Sequence, residues 1–215
     1  ARLAGCEPAA VIVEILNADG TMARRPELEV FAQEHDLKIG TIADLIEYRN
    51  LNETTIEKVA ECALPTEFGD FRLHTFKDVI DEQLHYALVK GDVDATEPAL
   101  VRVHLHNTFS DLLGSTRGLN RSMNLPKAMA RIGAEGGVLV LLGAKENIEQ
   151  QVQQFAAEDR GEVAPGKGWQ GSSRTVGVGS QILVSLGVKK MKLLSKPVKY
   201  SGLSGYGLEV VEYIS

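Results

Sequence analysis

A chain of 215 residues with ordinary hydrophobic content can bury a substantial core, as one large domain or two small ones. Its net charge of -6 excludes a general nucleic-acid grip, which needs a basic face, and no apolar run reaches the roughly 20 residues of a membrane-crossing helix. Cys6 and Cys62 stand too far apart for a metal-ligand spacing or a disulfide framework, so a reducing cytoplasm is the expected setting.

Pro8 to Leu16 reads as a buried strand, with Val11, Ile12, Val13, Ile15 and Leu16 surrounding one acid, Glu14. The two-residue period puts Glu14 on the face of Ile12 and Leu16, where burial would raise its carboxyl above the ordinary range. Asn17 to Gly20 is a turn, and Pro26 opens a helix with Leu28, Val30 and Phe31 as its apolar stripe. Lys38 to Ile42 reads as a short strand, and Asp44 to Val59 has helical spacing interrupted around Asn50 to Thr55. The composition shifts at Leu64-Pro65, which divides the chain into residues 1–63 and 64–215.

In the second part, Thr66 to His74 and Leu84 to Gly91 alternate as strands. Val101 to Arg117 is the most informative stretch. It begins as a strand with Leu100, Arg102, His104 and His106 on one face and Val101, Val103 and Leu105 on the other, then breaks into a polar loop. Leu125 to Ala134 suits a helix started by Pro126, Gly137 to Leu142 a buried strand, and Glu146 to Glu158 a Gln-rich helix. Gly161 to Gly168 approaches P-loop spacing, but a polar helix precedes it and Gly168 follows Lys167 where Ser or Thr is needed; it reads as a loop. Val176 to Leu186 is an amphipathic helix, Met191 to Leu194 a strand and Tyr206 to Ile214 a final strand. Strands alternating with helices imply a mixed α/β fold.

Residues 66–215 resemble the GTP cyclohydrolase II domain, through Thr66 to His74, Leu84 to Gly91, the strand at Val101 to His106, Gly179-Ser-Gln-Ile-Leu183, Leu186-Gly-Val188 and Gly205 to Glu212. The first segment is similar to the C-terminal end of 3,4-dihydroxy-2-butanone 4-phosphate synthase, through Ala1 to Gly5, Val13-Glu14-Ile15, Asp19 to Met22 and Ile39 to Ile46. The pair resembles a riboflavin-biosynthesis fusion.

The first resemblance implies a zinc held by three cysteines, whose places here carry Asn107, Gly118 and Asn120. The family's Glu-Gly-Arg nucleotide clamp is represented by Lys145-Glu146-Asn147, its proton-accepting aspartate by Ser172, and its nucleophilic arginine by Arg174. Arg102 and His104 remain, a glutamate of the same strand is His106, and Ser195 and Lys199 stand for C-terminal nucleotide contacts. The expectation is a vestigial site without zinc. The second resemblance makes Glu14 a proton-transfer acid of the synthase, whose acidic metal-binding loop and histidine would lie upstream of Ala1; magnesium or manganese is expected in the complete synthase.

The expected role is therefore an inactive structural or regulatory module, dependent on an upstream synthase portion, homodimeric, and at most a weak binder of nucleotide. An active cyclohydrolase with an atypical site, and a non-catalytic nucleotide or flavin sensor, stand as alternatives. Neither nucleic acid nor a membrane is an expected partner.

Overall fold

The computed structural model describes residues 1–94, 96–117, 123–143, 145–162, 173–197 and 203–215, and divides into units Ala1–Ile46 and Glu47–Ser215.

In the first unit, Gly20 N–H closes the expected turn on the Asn17 carbonyl at 2.9 Å, and the Asp19 carboxylate accepts from the Thr21 N–H at 3.0 Å. Helix α1 (Arg25–Glu34) has Pro26 in its first turn, and the Glu27 carboxylate accepts from the Arg24 N–H at 2.9 Å. The expected strand at Pro8 to Leu16 is not formed beyond a single bridge between Leu16 and Met22. Val11, Ile12 and Val13 are 98%, 92% and 86% exposed, and Glu14 is exposed too, so the burial expected of this stretch is not found. Lys38 to Ile42 likewise forms no strand. The physical reason is shared: a strand needs a neighbour for its N–H and C=O groups, and no named strand lies among the described residues of this unit.

Helix α2 (Ile42–Asn52) ends as the Asn52 side-chain amide donates to the Tyr48 carbonyl at 2.7 Å. The helical spacing suggested beyond Thr55 gives way to strand β1 (Ile56–Thr66), entered through the β-branched run Thr54-Thr55-Ile56. This strand runs through Leu64-Pro65, where the composition shift placed a boundary.

The second unit is built on one seven-stranded sheet. Its remaining strands are β2 (Gly69–Asp78), β3 (Leu84–Lys90), β4 (Ala99–Leu105), β5 (Gly137–Leu142), β6 (Lys190–Leu194) and β7 (Glu209–Ile214), in the order β1-β2-β3-β5-β4-β6-β7. Pairing is antiparallel from β1 through β3 to β5 and parallel from β5 through β4 and β6 to β7. The fold is mixed α/β, as the alternation of elements implied.

The sheet is covered on both faces. Helix α6 (Ser173–Ser185) packs Val178, Ile182 and Leu183 with Phe76, Val101 and Val140, while α4 (Leu125–Glu135) packs Ala128 and Ile132 with Phe71, Leu100 and Leu139. β4 shows the expected division: Val101, Val103 and Leu105 face the α6 layer and Leu100 the α4 layer. Between α4 and β5, Gly137 has φ 134° and an added Cβ would stand 2.2 Å from the Leu100 carbonyl oxygen, so only glycine lets the helix turn directly into the strand. The two remaining α-helices among the described residues are α3 (Thr108–Asp111) and α5 (Ile148–Asp159).

Candidate functional site

Antiparallel pairing of β2, β3 and β5 and parallel pairing of β5 and β4 bring the ends of β2, β4 and β5 and the start of β3 to one edge of the sheet. Two polar clusters form there.

The first is built on β4 and the turn that follows. His104 and Asp111 are joined by a 2.9 Å contact between Nε2 and Oδ2, and both side chains are only 6% exposed. The Asp111 carboxylate also accepts from the Asn107 N–H at 2.9 Å and the Ser110 hydroxyl at 3.0 Å. Burial acts to raise the Asp111 carboxyl, but the Asn107 N–H, His104 and Ser110 together hold it below its usual range. Asn107 caps α3, its side-chain oxygen accepting from the Ser110 N–H at 3.0 Å.

Glu146, from the β5–α5 connection, is seated on this turn. Its carboxylate accepts from the Thr108 N–H at 2.9 Å, from the Thr108 hydroxyl, and from the Asn107 side-chain amide at 3.0 Å. That amide also donates to Gln151 at 3.2 Å, and His106 Nδ1 lies 3.5 Å from the Glu146 carboxylate. Asn147 caps α5 by accepting from the Gln150 N–H at 2.9 Å.

The second cluster is centred on Arg174, in the first turn of α6. Its guanidinium stands 2.8 Å from Asp78 Oδ2 and 3.2 Å from Asp81 Oδ2, and the bond to Asp78 raises its pKa further above an already high value. Asp78 is 1% exposed and also accepts from the Ile80 N–H at 2.8 Å. Beside the pair, buried His85 accepts the Gly143 N–H on Nδ1 at 3.1 Å. Burial lowers the pKa of His85, against the pull of Asp78 and Asp81.

The other candidates are placed differently. Arg102 donates to the Leu194 carbonyl at 2.6 Å and the Met123 carbonyl at 3.1 Å, tying β4 to the end of β6 and to the residue just before the α4 cap. Ser195 donates to the Lys196 carbonyl at 3.0 Å. Glu14 belongs to the first unit. Gly118, Asn120, Ser172, Lys199 and most of the glycine-rich stretch at 161–168 lie outside the described residues. Sequence reasoning missed Asp78, Asp81, His85 and Asp111. Only Asp111 lay inside a stretch the sequence singled out, Val101 to Arg117.

The sequence pattern of GTP cyclohydrolase II matches residues 57–215, which contain both clusters. The chain belongs to the GTP cyclohydrolase II family. Ahead of that domain, residues 1–48 match 3,4-dihydroxy-2-butanone 4-phosphate synthase. A 3,4-dihydroxy-2-butanone 4-phosphate synthase of Photobacterium phosphoreum is 54% identical over 100% of this chain and 58% of its own length. Riboflavin biosynthesis protein RibBA of Aquifex aeolicus is 43% identical over 100% of this chain and 55% of its own. Among solved structures, RibBX of A. baumannii, described as a two-domain 3,4-dihydroxy-2-butanone 4-phosphate synthase, is 41% identical with a TM-score of 0.68, covering 100% of this chain and 56% of that one. The chain thus spans a little over half the length of these relatives. Within this cyclohydrolase-family domain, His104, Asn107 and Glu146 share the first cluster and Arg174 anchors the second.

Proposed function

We propose that the chain is part of a riboflavin-biosynthesis protein in which the cyclohydrolase-family domain is a non-catalytic structural or regulatory module attached to a 3,4-dihydroxy-2-butanone 4-phosphate synthase portion. The observation that carries this reading is the engagement of Asn107. At the place where the family resemblance puts the first zinc thiolate stands a neutral amide with its oxygen used to cap α3 and its nitrogen donating to Glu146 and Gln151. A catalytic zinc needs three strong donors and an open position for water. An amide that caps a helix with its oxygen and donates twice through its nitrogen does not fit that ion.

Glu146 supports the same reading, since it places a carboxylate, where a nucleotide clamp is implied, on donors that would otherwise face a ligand. The two relatives named as synthases are consistent with chemistry residing in the synthase portion. In the complete protein, Glu14 serves the synthase with magnesium or manganese, two copies pair as a homodimer, and the setting is cytoplasmic.

Incubation with GTP, with and without added zinc and magnesium, followed by measurement of formate, tests the proposal. No formate and well under one zinc per chain after dialysis are expected. Metal-dependent turnover that disappears in Arg174→Ala would refute it.

A further inference from the structure

We infer that Asp78 and Asp81 form an intramolecular gate on Arg174, holding the guanidinium against the domain and away from anionic ligands. The inference rests on the reading of the domain as a non-catalytic module and concerns what that module is able to bind.

The two partners differ sharply in freedom. Asp78 is 1% exposed at the end of β2, and one of its oxygens is occupied by the Ile80 N–H at 2.8 Å, so its carboxylate is fixed. The loop behind it is closed by the Asp78 N–H on the Gln83 carbonyl at 2.8 Å, the Glu82 N–H on the Asp78 carbonyl at 2.9 Å, and a Lys77–Glu82 ion pair at 3.0 Å. Glu82 accepts a left-handed φ of 59° to make this turn. The Arg174 side chain, by contrast, is 45% exposed. It is the solvent-facing member and therefore the one that can swing.

Charge decides what reaches it. In the first turn of α6, the helix dipole and the guanidinium alone would favour an anion. Two carboxylates within 3.2 Å of one guanidinium reverse that balance. His85 does not restore it, because burial disfavours its protonation. A pyrophosphate or nucleoside triphosphate arriving at this edge meets an arginine already neutralised, and must displace a charge-assisted contact to Asp78 before gaining one of its own.

Titration calorimetry of the whole chain with inorganic pyrophosphate tests the gate. Asp81→Asn, which alters a side chain 31% exposed and leaves buried Asp78 in place, should bind pyrophosphate several-fold more tightly than the parent. Asp78→Asn with Asp81→Asn keeps an acceptor for the Ile80 N–H and should gain about tenfold, the lower end of what a charge-assisted hydrogen bond contributes. Adding Arg174→Ala to that double variant should return affinity to the parental level. Unchanged or weaker binding in a folded Asp81→Asn chain would overturn the gate and leave the pair as a structural brace, as would a gain that survives loss of Arg174. Formate release on the same proteins is a separate readout: turnover by the parent refutes the non-catalytic reading, while an absent affinity gain refutes only the gate.

Discussion

Replacing Asp111 with alanine removes the acceptor on which the turn after β4 is assembled. The lost contacts are those to His104 Nε2 at 2.9 Å, the Asn107 N–H at 2.9 Å and the Ser110 hydroxyl at 3.0 Å. A buried donor left without an acceptor costs roughly 1–3 kcal/mol; the Ser110 hydroxyl keeps the Asn107 carbonyl as an acceptor at 3.2 Å, so the loss falls mainly on His104 and the Asn107 N–H, giving about 3 kcal/mol. At about 2–4 °C per kcal/mol for a domain of this size, the melting temperature should fall by about 10 °C. The loss also has a pH signature. The folded-state pKa of Asp111 is lowered, so its stabilisation is fully present above the unfolded value of about 3.9 and disappears as the pH falls through the folded value. Urea denaturation of parent and Asp111→Ala from pH 7 to pH 3 should show the two curves converging in acid. A difference below about 0.5 kcal/mol at pH 7, or one that does not shrink in acid, would refute the account.

Two further outcomes concern burial. His85 has a lowered pKa, so below the unfolded value of about 6.5 the unfolded chain takes up a proton that the folded chain resists, and stability falls as pH decreases from there; in His85→Gln that part of the slope should be absent in denaturant titrations. Gly137→Ala forces a Cβ to within 2.2 Å of the Leu100 carbonyl oxygen at φ 134°, and should cost about 3 kcal/mol or more, read as a lowered urea midpoint.

The sheet was legible because its strands alternate. Val101, Val103 and Leu105 against Leu100 and Arg102 is a two-period pattern that survives in the finished layers. Asp44 to Val59 misled because α2 and β1 follow one another with only three residues between, and β1, an edge strand largely exposed, carries charged residues at the spacing of a solvated helix face. Pro8 to Leu16 misled for a different reason: apolar β-branched residues state a preference for a sheet and say nothing about whether a partner strand is at hand. The site was legible where one segment holds it. His104 and Asn107 stand three residues apart, whereas the contact between Asp78 and Arg174 joins β2 to α6 and no spacing announces it.

The change from antiparallel to parallel pairing at β5 also sets an order of assembly. β1, β2 and β3 follow one another in sequence and pair through short connections, so each closes a small loop and can form quickly. β4 acquires β5 only after α3 and α4 intervene, and pairs with β6, Ala99 beside Met191, only after α5 and α6 as well. Those late contacts bear the larger loop-closure entropy and should limit the folding rate. The two polar clusters mature on different schedules as a result. Half of the Arg174 contact, Asp78, is in place with the early meander, while the arginine arrives with α6, near the end.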